Sequence, residues 1–246
     1  MAVSICMATY NGERFIRAQV ASILCQLSSD DEIVVVDDCS TDSTVGVLNE
    51  FCDPRIKIYV NSRNESHVYS FSRSISLASN ETILMSDQDD VWLKHRVGAL
   101  VRHLSEPGVS LVATNFGYID VDGNEIACEK SPLKASESRR HIRNIVGIFL
   151  GTRNYFGCAM AIGNALTDIV LPIPRFVESH DLWIALAGNV SRSIIHLEER
   201  TVMRRIHGSN VSVVKRRVCA MLWSRVVFAA SIVVLLYRRL LVGRKP

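Results

Sequence analysis

The stretch Leu84-Met85-Ser86-Asp87-Gln88-Asp89-Asp90-Val91-Trp92 decides how the rest of the chain is read. The apolar run from Thr82 to Met85 has the look of a buried strand, and it ends in three carboxylates within four residues. Such a cluster is costly to bury, and side by side the charges repel. A divalent cation answers both problems, because acids one residue apart at a strand end can offer oxygens to Mg²⁺ or Mn²⁺, which in turn can hold a phosphate. The plainer reading is a solvated acidic turn. What lies on either side decides between them.

Upstream, Val3-Ser4-Ile5-Cys6-Met7-Ala8 reads as a buried strand running into the polar turn Thr9-Tyr10-Asn11-Gly12. Phe15, Ile16, Ala18, Val20, Ile23, Leu24 and Leu27 follow near a 3.6-residue period and predict a helix. Glu32-Ile33-Val34-Val35-Val36 is a continuous β-branched run, expected of a parallel strand covered on both faces, and it ends in Asp37-Asp38. The residues 39–44 are rich in helix-capping types and lead into a second helix. A strand at 56–60, a short helix around Phe71 and Ile75, the strand into the acids, a helix over 93–104 and a strand over 109–113 complete the half. This alternation predicts an α/β fold, a doubly wound and mostly parallel sheet whose ligands bind beyond the carboxyl ends of the strands. Thr9 and Asn11, Asp37 and Asp38, and Asp87 and Asp89 all fall at such ends. The first turn has no Gly-x-Gly-x-x-Gly, which argues against a dinucleotide fold.

Downstream, residues 118–126 predict a hairpin around Asp122-Gly123, and 129–143 a polar, basic loop and helix start. Tyr155 to Ile162 reads as a strand with a glycine where something approaches closely. Leu171-Pro172-Ile173-Pro174 is a stiff connector before Ser179-His180-Asp181-Leu182-Trp183 and a helix. Residues 193–197 and 201–206 predict two strands, leading to His207-Gly208-Ser209-Asn210.

The 246 residues suffice for one α/β domain, and 48% apolar content argues against disorder. The net charge of +3 hides an asymmetry. The last 32 residues carry eight Lys/Arg and no acid, leaving 20 bases against 25 acids in the body. A basic tail on an acidic body points to a phosphate-rich surface, membrane or nucleic acid. Seven cysteines, an odd number without Cys-x-x-Cys or zinc spacing, fit free thiols in a reducing compartment. The first strand begins without a charged leader, so a signal peptide is not expected.

Together, Met7-Ala8-Thr9-Tyr10-Asn11-Gly12, Val36-Asp37-Asp38-Cys39-Ser40-Thr41-Asp42 and Ser86–Trp92 resemble the family 2 glycosyltransferases of the GT-A fold, in particular a bacterial rhamnosyltransferase-like branch. Gly157-Cys158-Ala159-Met160, His180-Asp181-Leu182-Trp183 and Arg205-Ile206-His207-Gly208-Ser209-Asn210 extend the resemblance to about residue 212. It implies a GT-A domain over 1–212, with a nucleotide-binding half (1–114) and an acceptor half (115–212). It also implies a metal-dependent, inverting transfer of a sugar, rhamnose among the candidates, from a nucleoside-diphosphate sugar to a saccharide or lipid-linked acceptor in surface polysaccharide assembly. By the same resemblance Thr9, Asn11, Asp38 and Asp87 line the nucleotide pocket, and Asp89 with His207 holds Mg²⁺ or Mn²⁺. Asp181 is the catalytic base, and Arg205, Trp183 and Gly157 fall on the acceptor or diphosphate side. Nucleic acid is then not an expected partner. The stretch Asn64–Phe71 departs from the family, lacking its usual glycine and later asparagine.

Several of these residues also have a plainer reading. Asp38 and Asp181 could cap the helices that follow them, and Asp90 could cap a helix starting at Leu93 or stand behind the other acids. Trp92 and Trp183 could be packing anchors, His180 structural, and His207 a surface histidine. A sugar nucleotidyltransferase or a catalytically silent nucleotide-sugar binder would share the crevice. Within residues 213–246, Cys219 to Tyr237 carries one charge, Arg225, with Arg216-Arg217 before it and Arg238-Arg239 after. Bases on both sides argue against simple spanning. A helix lying on the inner face of the membrane with snorkelling arginines is expected, against a packing helix or a span.

Overall fold

The computed structural model describes residues 1–127, 132–208 and 218–243. The loop expected at 129–131, Ser209-Asn210 of the last motif and the 212/213 boundary lie outside them.

The chain runs β1 (Val3–Thr9), α1 (Ile16–Leu24), β2 (Glu32–Asp37), α2 (Thr44–Asn49), β3 (Ile56–Val60), α3 (His67–Leu77), β4 (Thr82–Ser86), β5 (Val91–Trp92), α4 (Arg96–Leu104), β6 (Leu111–Ile119) and β7 (Glu125–Ile126). It continues with α5 (His141–Leu150), β8 (Met160–Gly163), α6 (Asn164–Val170), α7 (His180–Val190), β9 (Ile194–Arg205) and α8 (Val218–Val242). The strands form one sheet in the order β3-β2-β1-β4-β8-β6-β9-β5, with β7 paired to β6. The first four are parallel neighbours, as the β-branched runs predict.

The strand pleat sorts the core. Ile5, Met7, Ile33, Val35, Leu84 and Val112 join Ile16, Val20 and Leu100 on the face covered by α1, α2 and α4. Cys6, Ile83, Met85, Leu111 and Ile162 point the other way, under Phe71 of α3, Leu166 of α6, Trp183 of α7 and Leu235 of α8. Each such fully buried aliphatic side chain contributes about 1.5–3 kcal/mol.

The second half departs from the simple alternation. β8 enters between β4 and β6, antiparallel to both, so the sheet is mixed rather than a continued parallel run. Residues 194–205 form one strand with a register irregularity opposite Asn115, where two strands were expected. Tyr155–Ala159 is not strand, because a 3-10 turn over Gly157–Ala159 precedes β8. The hairpin at Asp122-Gly123 is present, with Tyr118 opposite Ile126. Residues 91–92 pair with β9, and α4 starts at Arg96 rather than at the expected Leu93. The buried Arg96 guanidinium donates to Thr201 Oγ1 at 2.6 Å and to Met85 O, tying that junction to the sheet.

The last helix, α8, packs on α6 and α7 through Phe228, Ile232, Leu235 and Val242. Arg238 donates to Ile169 O and Val170 O, each at 3.0 Å, and to Pro172 O at 2.8 Å, and Arg239 donates to Val190 O. Both arginines thus serve carbonyls at the C-terminal ends of α6 and α7, where positive charge is favoured. The expectation that they snorkel to headgroups is corrected accordingly. Among the described residues, no helix is long and apolar enough to cross a membrane.

Candidate active site

The parallel register brings the polar strand ends level. Thr9 stands opposite Asp37, Asp37 opposite Val60, and Met7 opposite Ser86, so the residues after β1, β2, β3 and β4 emerge along one edge. Strands β6 and β9 run in the same sense and deliver their ends there too, which is why His207 can meet residues from the first hundred.

At the nucleotide-side turns the expected residues are present but engaged with one another. The Asp37 carboxylate accepts from Thr9 Oγ1 (2.7 Å), Ser40 N (2.8 Å) and Ser40 Oγ (2.6 Å). Thr9 is 2% exposed, so its hydroxyl locks β1 to β2 rather than facing a ligand. Asn11 adopts φ 48°, a left-handed turn that asparagine tolerates, and its Oδ1 accepts from Thr41 N at 2.8 Å. Asp38 accepts from Asn61 Nδ2 (2.7 Å), Glu65 N and Ser66 N (both 2.9 Å). It therefore shapes the 61–66 turn, and does not cap the helix that follows it. Ser66 sits at φ 88° in that turn, the kind of backbone that glycine adopts without strain, within the stretch that departs from the family.

The acidic cluster opens behind these turns. Gln88, between the two acids of the motif, donates to Tyr10 O at 3.1 Å and accepts from Tyr10 N at 2.8 Å. It packs where a Cβ on Gly12 would come within 2.5 Å of its Oε1, so a larger residue there would have to displace the Gln88 amide from Tyr10. Asp89 Oδ2 lies 2.7 Å from His207 Nε2, and the imidazole leans on Phe15 with ring centroids 5.0 Å apart. Asp90 is buried and accepts from Arg205 N at 3.0 Å, while its Oδ2 has no hydrogen-bond partner among the described residues. It caps no helix. Burial, then Asp89 and Asp181, pushes the Asp87 carboxyl up to about 6. Burial, then Asp87 and Asp89, pushes Asp90 to about 8.

Arg205 donates to Asp89 O (3.0 Å), Asp120 O (2.9 Å) and Val121 O (3.2 Å), which pins the acidic loop to the β6–β7 turn. The resemblance puts it near the diphosphate, whereas these hydrogen bonds engage it with the protein backbone. Its neighbour Arg204, unremarked in the sequence, points into the cluster. Burial opposes its charge, but the neighbouring acids Asp90 and Asp87 outweigh that and hold the guanidinium protonated. It lies 4.2 Å over the Phe156 ring.

Asp181 opens α7 beside His180, whose Nε2 is 2.7 Å from Asp181 Oδ1. The helix is capped by Ser179, which accepts from Leu182 N at 3.3 Å, so Asp181 is not the cap. Burial would raise the Asp181 carboxyl, but His180, with Arg204 behind it, holds it below the usual carboxylate range. The reciprocal pull raises His180 against its burial. The imidazole stacks on Phe71 with centroids 3.9 Å apart. A Cβ on Gly157 would fall 2.5 Å from Asp181 Oδ1 and 2.7 Å from His180 Nε2, so the glycine makes space for this pair. Trp183 is 1% exposed and donates its Nε1–H to Val170 O at 2.9 Å. It is a packing anchor and does not reach the crevice.

A cavity of about 600 Å³ adjoins the cluster, lined by Phe116, Tyr118, Glu125, Leu133, Phe156 and Arg200 among others. Phe156 forms part of its wall and carries Arg204 on its ring, which links cavity and acids.

The donor set suits a hard divalent cation. Crowded carboxylates with raised affinity for protons, an unpartnered buried oxygen and an imidazole beside Asp89 are what such an ion would relieve. The oxygen and sulfur atoms of Asp87, Asp90 and Cys158 also lie within 4.8 Å of one another. Burial and the neighbouring acids keep the Cys158 thiol protonated, which makes it a poor ligand for Mg²⁺ or Mn²⁺.

Comparison with known proteins accords with this geometry. The profile of Glycosyl transferase family 2 matches residues 4–165. The chain belongs to that family. Among its relatives, the Escherichia coli UDP-Glc:alpha-D-GlcNAc-diphosphoundecaprenol beta-1,3-glucosyltransferase WfgD is 30% identical over 118 residues, covering 48% of this chain and 47% of that protein. The Shigella flexneri dTDP-rhamnosyl transferase RfbG is 37% identical over 98 residues, covering 37% and 34%. The chain thus spans about half or less of the length of these two relatives. The structure of S. aureus TarS 1-349 in complex with UDP-GlcNAc superposes with a TM-score of 0.70 at 18% identity, over 97% of this chain and 72% of that one. The mannosyltransferase PcManGT from Pyrobaculum calidifontis, in complex with GDP-Man and Mn²⁺, gives 0.62 at 15% identity, over 98% and 73%. The fold of this family 2 domain is GT-A.

Proposed function

We propose that this family 2 domain transfers a sugar, with inversion, from a nucleoside-diphosphate sugar to a saccharide or lipid-linked saccharide acceptor in surface polysaccharide assembly. One observation carries the reading: Asp87 and Asp89 of the loop after β4, Asp181 of α7 and His207 after β9, three separate segments, gather at a single edge of the sheet beside a cavity.

Asp89 and His207, with Asp87 beside them, would hold Mg²⁺ or Mn²⁺. Bound there, the cation would neutralise charge on the departing diphosphate. The 61–66 turn shaped by Asp38, with the Asn11 turn, bounds the nucleotide pocket. The cavity behind Phe156 receives the acceptor. Asp181, kept ionised by His180, takes the proton of the acceptor hydroxyl as its oxygen bonds to the anomeric carbon and the bond to the diphosphate oxygen breaks. A single displacement inverts that centre.

The activities of the relatives, a UDP-glucose transfer onto a diphosphoundecaprenol-linked sugar and a dTDP-rhamnosyl transfer, support the donor and acceptor classes. A lipid-linked acceptor would place the domain at the inner face of the membrane, and the exposed apolar residues of α8 suit that position.

The test is Asp181→Asn, assayed for transfer and for donor binding. Transfer should fall by roughly 10²–10⁴-fold, the usual worth of a general base, with donor affinity nearly unchanged. Loss of donor binding would contradict the base assignment. Thermal-shift titration with UDP, dTDP and GDP, with and without Mn²⁺, identifies the donor base; no shift with any of them would refute the enzyme reading.

A further inference from the structure

The helix α8 is apolar on both its faces. The side turned to the protein carries Phe228, Ile232, Leu235 and Val242, with Ser231 and Arg238 among them. The side turned to solvent carries Val226, Ala229, Val233, Leu236, Tyr237 and Leu240, with relative exposures up to 67% at Val233. A surface helix ordinarily turns a polar face to solvent, and a contiguous exposed apolar face marks a surface that something covers.

A second helix continues this face. On α5, Ile142, Val146, Phe149 and Leu150 are exposed at helical spacing, Ile142 by 75%. The rings of Phe149 and Phe228 lie 5.3 Å apart, and Arg225 of α8 sits 4.6 Å over Phe149, so the two helices meet edge to edge. Arg139, Arg140 and Arg143, all exposed, cluster at the start of α5. Positive charge at a helix N-terminus opposes the helix dipole, a cost that an external anionic surface would remove. From 138 to 153 the sequence holds no acid, and from 215 to 246 none.

We infer that α5 and α8 together form a docking face for an anionic lipid bilayer, with the α5 arginines on headgroups and both apolar rows in the interface. Charge decides the occupant, since a basic rim around an apolar strip matches acidic headgroups over acyl chains. The face is also placed for the proposed acceptor. Leu133 before α5 and Asn154 and Phe156 after it line the cavity, so docking α5 brings the cavity to the lipid surface. The inference rests on the proposed membrane position and adds to it the second helix and the lipid charge.

The experiment is co-sedimentation of the full chain with phosphatidylglycerol-containing vesicles and with pure phosphatidylcholine vesicles. It compares wild type, Ile142→Ser/Val146→Ser and Arg139→Gln/Arg140→Gln/Arg143→Gln, each checked for an unchanged melting temperature. Wild type should bind the anionic vesicles and release them in high salt, with about a fivefold loss of partitioning per arginine removed. Wild-type binding by the α5 variants would overturn the inference while leaving α8 and the membrane position standing. Equal binding to both vesicle types would also overturn it. A concentration-dependent dimer in light scattering that the α5 substitutions abolish would assign the face to a second copy instead. No vesicle binding at all, with a nucleotide-induced thermal shift intact, would remove both the inference and the membrane position but not the proposed transfer.

Discussion

His207 Nε2 and Asp89 Oδ2 lie 2.7 Å apart although 118 residues separate them in the chain. The contact exists because β9 runs parallel to β6 and discharges its end at the edge where β4 leaves the acidic loop, and because Arg205 clamps Asp89 O from the same strand. If the pair holds the cation, Asp89→Ala should abolish metal-dependent stabilisation by nucleoside diphosphates. His207→Ala should lower kcat/KM by roughly 100-fold, about 2.7 kcal/mol, and raise the Mn²⁺ concentration needed. Nucleotide-induced shifts indifferent to metal in the wild type would contradict this.

Gly157 lies directly against the Asp181 carboxylate and the His180 imidazole. Alanine there would drive its Cβ to 2.5 Å from Asp181 Oδ1. Gly157→Ala should cost about 1–3 kcal/mol of stability through overpacking and displace the base, so kcat should fall at least tenfold with donor affinity preserved. Chemical denaturation and transfer kinetics on one preparation separate the two effects.

Ser66 holds φ 88° because Asp38 Oδ2 accepts its N–H at 2.9 Å. Ser66→Gly should relieve the strain and stabilise the domain by about 1 kcal/mol, read as a higher denaturation midpoint. A loss of stability would mean that the serine side chain contributes more than its backbone costs.

His196 is 1% exposed, between Tyr155 OH at 2.9 Å and Lys134 O. Burial lowers its pKa from 6.5 to about 4. Between those values the unfolded chain takes up a proton that the folded chain refuses. Its contribution is therefore fully present above pH 6.5 and is lost as pH falls toward 4, by about 3 kcal/mol in all. Urea midpoints across that window should fall less steeply in His196→Gln than in wild type.

Much of the first half was legible in the chain. Continuous β-branched runs such as Ile33–Val36 belong to parallel strands covered on both faces, and the polar residues after them had to emerge at one edge. The acids of 87–90 announced themselves because no ordinary core accommodates them. What periodicity could not supply was partnership. Asp37 and Asp38 are neighbours of like type, yet one knits β1 to its own loop and the other shapes a turn 27 residues on. Trp183 follows the candidate base by two positions, and helix geometry turns it away into the core. Arg204 carried no motif; the signal that could have found it was the need of a buried acidic cluster for a buried cation.

The sequence by itself determined the strand–helix alternation, the level row of polar strand ends and the acidic loop, because each follows from local period and the cost of burying charge. Only the tertiary structure decided that β8 would split β4 from β6, that His207 would reach Asp89, and that Gly157 would yield its space to Asp181. It also decided that Arg238 and Arg239 would bind helix ends while the apolar face of α8 stayed outside. Those outcomes depend on which distant surfaces fill one another's space and satisfy one another's hydrogen bonds, and no local pattern carries that information.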